Sequence, residues 1–209
     1  MDNAIDIAFR IAILIFSIVI HEVSHGYAAL WLGDRTALYA GRLTLNPIKH
    51  IDPFGSVILP LLSIFLGGPL FGWAKPVPYN PYNLRNQKWG SAIVGFAGPG
   101  INFSLALLAG LTIRFLPAGG DTDFFGNFVL IAAYVALINL FLCVFNLIPI
   151  PPLDGSKVLF SVLSYRWNFL RVFLEQYGFF LLLIFIFFFS GALIPLVSFF
   201  FEAITGEML

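Results

Sequence analysis

Apolar positions in this chain fall in long runs rather than in narrow stripes. Residues 7–32, 92–116, 128–155 and 179–201 are dominated by Ile, Leu, Val, Phe, Ala and Gly. Each run is long enough to cross the ~30 Å hydrocarbon core as a helix. A fifth apolar run, 54–71, is shorter, is broken by Pro60 and closes on Gly67, Gly68 and Pro69. It reads as a re-entrant segment that dips into the membrane and returns. In residues 38–47 (LYAGRLTLNP), Arg42 and Thr44 alternate with Leu43 and Leu45 ahead of an Asn-Pro turn. That period of two predicts a short strand or β-hairpin in the connection after the first run. Residues 73–86 (WAKPVPYNPYNLRN) carry too much Pro and Asn for a helix, and their Trp and Tyr suit the membrane interface. Pro195 predicts a kink in the last run. The expected fold is an all-α polytopic membrane protein: one membrane-embedded domain over 1–209, with four transmembrane helices, one re-entrant segment and the hairpin.

Composition agrees with the bilayer as solvent. Hydrophobic residues make up 59% and charged residues 11%, against ~25% charged residues in globular domains. The formal net charge is zero and there is no basic tract, so nucleic acid is not an expected partner. The single cysteine, Cys143, lies in an apolar run, which excludes a disulfide framework and a cysteine-based zinc site. Asp2 and Asp6 stand where a cleaved signal peptide carries positive charge, so the first run is expected to be retained.

Inside that first run, residues 18–30 read IVIHEVSHGYAAL, an HExxH motif. A helix turns about 100° per residue, so His21 and His25 lie on one face and can hold two corners of a tetrahedral zinc. Glu22 lies beside that face, within reach of a water at the metal, which is the general-base position of zinc peptidases. A chance match is disfavoured because ionisable groups at bilayer depth are costly unless they serve each other or a ligand. From His21 to Leu32 is eleven residues, about 16 Å of helix. The metal is therefore expected near mid-membrane.

A catalytic zinc needs a third protein ligand and an open fourth position. Residues 146–155 (NLIPIPPLDG) end a span with clustered prolines and an Asp-Gly turn, so Asp154 is either a turn residue or that third ligand. It is the best-placed candidate. Asp121, Asp123 and His50 lie in polar connections and read as solvated, whereas Glu175, Glu202 and Glu207 lie towards the ends of the last apolar run. In the second clear span, Gly98, Asn102, Ala106 and Gly110 recur every four residues, a stripe that lets another helix approach closely. Asn102 is then either helix-helix glue or part of the site.

With HEVSHG in the first span, GPGIN in the second clear one and NLIPIPPLDG after the next, the chain resembles the site-2 protease family of intramembrane zinc metalloproteases. AGRLTLNPIKHIDP and WAKPVP are similar to segments of its compact prokaryotic members, which lack appended regulatory domains. The resemblance implies one zinc per chain on His21, His25 and Asp154, water activation by Glu22, and substrate contact by Asn146. It also places Asn102 in a core-helix motif, here taken as substrate-binding. The implied function is cleavage of membrane-spanning protein substrates within a prokaryotic plasma membrane. A metal-binding channel or inactive scaffold could use the same ligands, but it would not need Glu22. Iron-dependent desaturases need more than three His, and a rhomboid-type serine protease needs a Gly-x-Ser-Gly context that is absent.

Charge and metal geometry agree on topology. Were residues 54–71 to cross fully, the 11 Lys and Arg would divide 7 to 4; if the segment is re-entrant, only Arg10 and Arg114 face away from the other nine. Positive residues favour the cytoplasm, so the second division predicts a site opening to the cytoplasm and both termini outside. It also puts Asp154 on the side from which His21 and His25 are reached. Cysteines introduced at Lys49 and Arg85, with Cys143 replaced, should label from the same side of the membrane; labelling from opposite sides would refute this topology.

Overall fold

Tyr, Trp and Pro punctuate the connections and long apolar runs form the helices. A computed structural model describes residues 4–58, 65, 73–115 and 123–207. Its helices are α1 (Ala4–Trp31), the single turn α2 (Thr36–Tyr39), α3 (Gly90–Phe115), α4 (Asp123–Asn146), the short α5 (Gly155–Val162), α6 (Asn168–Phe189) and α7 (Leu193–Thr205). Four stretches of the described residues are long and apolar enough to span a membrane: Asp6–Trp31, Gly90–Phe115, Phe125–Asn146 and Asn168–Thr205.

Side-chain contacts give the helix directions. Arg10 meets Tyr134, Ser17 meets Asn139 and His21 meets Asp154. The pairs ascend together, so α1 and α4 run parallel. Against α3 the order reverses: His25 meets Val94 and His21 meets Asn102. The chain therefore leaves α1 and enters α3 on one side of the bundle, where Arg85 N–H donates to the Leu32 carbonyl at 2.8 Å. Ala29, Leu32, Leu84 and Val94 close that junction as one buried cluster. At the opposite end Ala106 of α3, Ala136 and Leu140 of α4, and Val197, Phe201 and Ile204 of α7 form the main apolar core. In lipid the gain comes from close packing rather than from leaving water, which is why small residues sit at these crossings. The stripe 98, 102, 106, 110 is buried throughout, as its spacing predicts.

Three expectations need correction. The strand or hairpin over 38–47 is not formed; among the described residues there is no strand. Leu38 and Tyr39 belong to α2, and a lone strand has no ladder partner for its backbone. Side chains take that role here, with Arg42 Nη2 donating to the Lys75 carbonyl at 2.6 Å and His50 Nε2 to that of Thr44 at 2.9 Å. His50 is consequently buried, not solvated, because its 3₁₀ turn folds back on residue 44. The last span is longer than 179–201: α6 and α7 cover 168–205, broken at Ser190–Ala192. Thirty-eight residues of straight helix would reach about 57 Å, far beyond the bilayer core. The break falls where Pro195 would clash with the carbonyl four residues earlier. Of the expected re-entrant segment 54–71, most lies outside the described residues; Pro53–Ile58 form a single π turn.

One carboxylate ties the connection to α1. Gly33, at φ 106°, turns the chain out of the helix. Asp34 then accepts hydrogen bonds from the Thr36 hydroxyl and N–H, the Asn83 amide and the Asn80 N–H, at 2.6–3.2 Å. Burial alone would push its pKa up, but these donors outweigh it and hold the carboxyl below its ordinary value. A depressed folded-state pKa means the stabilisation is complete above the unfolded value and is lost as pH falls through the folded one. Asp34→Ala should cost ~2–4 kcal/mol at neutral pH. Unfolding in detergent micelles should show that gap narrowing below about pH 4. An unchanged gap would contradict the assignment.

Candidate metal centre

The HExxH turn lies ten residues before the end of α1 and faces α3, not lipid. His21 and His25 are 5% and 6% exposed. Their rings meet edge-on, with centroids 4.7 Å apart. Each ring is oriented from behind. His25 Nδ1 lies 2.6 Å from the Val94 carbonyl, which can only accept, so Nδ1 carries the proton. His21 Nδ1 lies 2.6 Å from Asn102 Oδ1 and is likewise the donor. With Nδ1 carrying the proton, the neutral form of each imidazole turns its Nε2 lone pair inward.

Asp154 meets them from the turn between α4 and α5. Prolines 149, 151 and 152 stop α4, and the Pro151–Pro152 bond is cis. A side chain at Gly155 would collide with the Leu147 carbonyl, so the Asp-Gly pair is dictated by how tightly the turn closes. Asp154 Oδ1 takes a 2.8 Å bond from Lys157 Nζ, whose ammonium also lies 5.5 Å over the Tyr79 ring. That leaves Oδ2 for the histidines, 3.1 Å from His21 Nε2 and 3.0 Å from His25 Nε2.

With the two Nε2 atoms 3.1 Å apart, three lone-pair donors stand at the corners of a nearly equilateral triangle. A tetrahedral ion with bonds of ~2.0–2.1 Å has ligand-ligand edges of about 3.3 Å, so the set fits zinc to within a few tenths of an ångström. Among the described residues these three form a group able to hold a metal. Three mutually facing lone pairs in a buried pocket repel unless a proton or a metal cation lies between them. Gly98 makes the space, because a Cβ there would lie 2.5 Å from both Nε2 atoms.

Glu22 is half-buried beside this triangle, and its Oε2 accepts the Val77 N–H at 2.9 Å. Asn146, at the end of α4, is half-buried and spends its Nδ2 on the Leu142 carbonyl. Asn102 is fully buried behind His21. Glu175 pairs with Arg171 at 2.9 Å on an exposed face, and Glu202 and Glu207 are exposed. Asp123 opens α4, Asp121 lies outside the described residues, and Cys143 is buried away from the triangle's donor set. Lys157, Val77 and Asn139 were not singled out in the sequence. A lysine three residues after a candidate ligand and an amide in the middle of an apolar span were signals for two of them; nothing in the sequence marks a backbone N–H.

Comparison with known proteins points the same way. A model of Peptidase family M50 matches residues 116–189, a range that includes Asp154. "Putative zinc metalloprotease YwhC" of Bacillus subtilis is 34% identical over 179 residues, covering 84% of this chain and 78% of that protein. "Putative zinc metalloprotease Rip2" of Mycolicibacterium smegmatis is 36% identical over 146 residues, 69% of this chain and 53% of that protein. "Zinc metalloprotease MJ0392" of Methanocaldococcus jannaschii is 26% identical over 171 residues, 82% and 39%. The chain thus spans most of the first relative and about half or less of the other two. No solved structure matches significantly.

Gly98→Ala should abolish stoichiometric zinc in the purified protein while leaving the helical spectrum intact. Gly100→Ala, whose Cβ meets only the Phe96 ring at 3.4 Å, should retain it. Metal analysis showing full zinc in Gly98→Ala would contradict the cradle.

Proposed function

Because the chain belongs to peptidase family M50, the site-2 protease family of zinc metalloendopeptidases, we propose that it cleaves membrane-spanning segments of substrate proteins within the bilayer. In this reading His21, His25 and Asp154 hold one zinc, and Glu22 is the general base. The observation that carries it is the convergence of His21, His25 and Asp154 donor atoms to within 3.1 Å of one another, with two of the three on an apolar helix long enough to span a membrane.

When bound, zinc polarises the scissile carbonyl and lowers the pKa of the attacking water. Glu22 takes up the proton released in the attack and returns it to the leaving amine. Anchoring of Oε2 by the Val77 N–H limits how far the carboxylate can swing. Lys157 keeps Asp154 to one inward oxygen by engaging the other. A substrate helix hides its carbonyls in its own hydrogen bonds, so it must unwind locally and find new partners. Residues 73–80, which pass Glu22 in non-helical form, and the Asn146 amide are the neighbours such a strand would meet. Because α1 ends and α3 begins at the metal-centre end of the bundle, the cationic connections gather there, which supports a site facing the cytoplasm of a prokaryotic cell.

Glu22→Gln should keep zinc and lower cleavage of a single-span substrate by at least ~10²-fold. Helix-breaking residues placed in the substrate's span should raise the wild-type rate. Undiminished cleavage by Glu22→Gln in reconstituted membranes would sink the assignment of the base.

A further inference from the structure

The amide of asparagine is nearly symmetric in shape, so a half-turn exchanges acceptor for donor at almost no steric cost. For Asn102 that exchange has a chemical consequence. With its NH₂ towards His21, Nδ1 would have to be the acceptor and the ring proton would move to Nε2. Nε2 is the atom that faces Asp154 and His25. Nothing in Asn102 itself decides between the two orientations.

The decision is made one residue further back. Asn102 Nδ2 donates to Asn139 Oδ1 at 2.7 Å. Asn139 Nδ2 donates in turn to the Val135 carbonyl and to Ser17 Oγ, each at 2.9 Å. A backbone carbonyl can only accept, so Asn139 must point its NH₂ at Val135 and its oxygen at Asn102. Asn102 must then point its oxygen at His21. We propose that Asn139 is a positioning residue that, through Asn102, holds His21 as the Nδ1–H tautomer and leaves Nε2 free for the metal. Its direction is set by the Val135 carbonyl. Asn102, Asn139 and Ser17 are 0%, 1% and 4% exposed, so water does not substitute for a lost partner.

The alternative is that the two amides merely join helices. Glue works with either polarity, whereas the relay works with only one. His25 supplies an internal control, because its tautomer is set directly by the Val94 carbonyl and does not pass through the relay.

The test uses the intact chain in detergent micelles with ¹⁵N-labelled histidine, free of metal and at mildly alkaline pH. It rests on the metal-centre reading, but the spectrum involves neither zinc nor substrate, so its failure is separable from failure of zinc binding or proteolysis. Wild type should show His21 protonated at Nδ1. Asn139→Leu should give a mixed His21 tautomer with His25 unchanged, and zinc affinity by chelator competition should fall about 10–100-fold. Adding Asn102→Asp, whose two oxygens both accept, should restore the tautomer and the affinity. The proposal is overturned if folded Asn139→Leu keeps either wild-type property, or if the double variant restores neither. Should Asn139→Leu fail to fold, the wild-type spectrum still decides, because His21 protonated at Nε2 overturns the relay outright.

Discussion

The structure depends on a repulsion. Two imidazole lone pairs and a carboxylate oxygen are held 3.0–3.1 Å apart, almost without access to water. Left to themselves these groups would separate or take up protons. They are kept together by groups behind them: the Val94 carbonyl, the Asn102 amide and the Lys157 ammonium. These groups come from two elements other than α1, α3 for the first two and α5 for the third. Bundle packing and metal-site geometry are therefore one problem. A cation between the lone pairs would convert that repulsion into attraction.

That constraint accounts for features of the fold that hydrophobicity alone does not. Helix α3 must pass close to the imidazoles, so it carries Gly98 where a Cβ would fill the pocket. The α4–α5 turn must bring an aspartate back to a depth that α4 has already passed, so it is built from prolines and a glycine rather than continued as helix. Helices α1 and α4 must run parallel, or Asp154 would lie at the far surface. The connection after α1 is clamped by Asp34, which holds Asn80 close behind the segment whose Val77 N–H meets Glu22.

Much of this was legible in the sequence because bilayer physics leaves few alternatives. Long apolar runs must be helices, and the HExxH spacing puts His21 and His25 on one face of the first. Asp154 followed from the need for a third ligand at the broken end of a span. What the sequence hid depends on tertiary contacts. Alternation over 38–47 predicted a strand, but a strand requires a neighbour, and Arg42 and His50 supplied side-chain partners to the backbone instead. His50 looked solvated because its burial depends on a turn that closes only in the folded chain. The role of Asn139 was hidden for a similar reason: an amide in an apolar span is visible, but its importance lies in the direction of a hydrogen bond.

X-ray absorption at the zinc edge of the purified, zinc-loaded protein tests the central claim most directly. The account predicts one zinc per chain bound by two imidazoles and by oxygen, at ~2.0–2.2 Å, with no sulfur neighbour. In Asp154→Ala the two imidazole contributions of any zinc still bound should persist while the protein oxygen is lost. A sulfur scatterer near 2.3 Å, or a wild-type spectrum with fewer than two imidazoles, would contradict it.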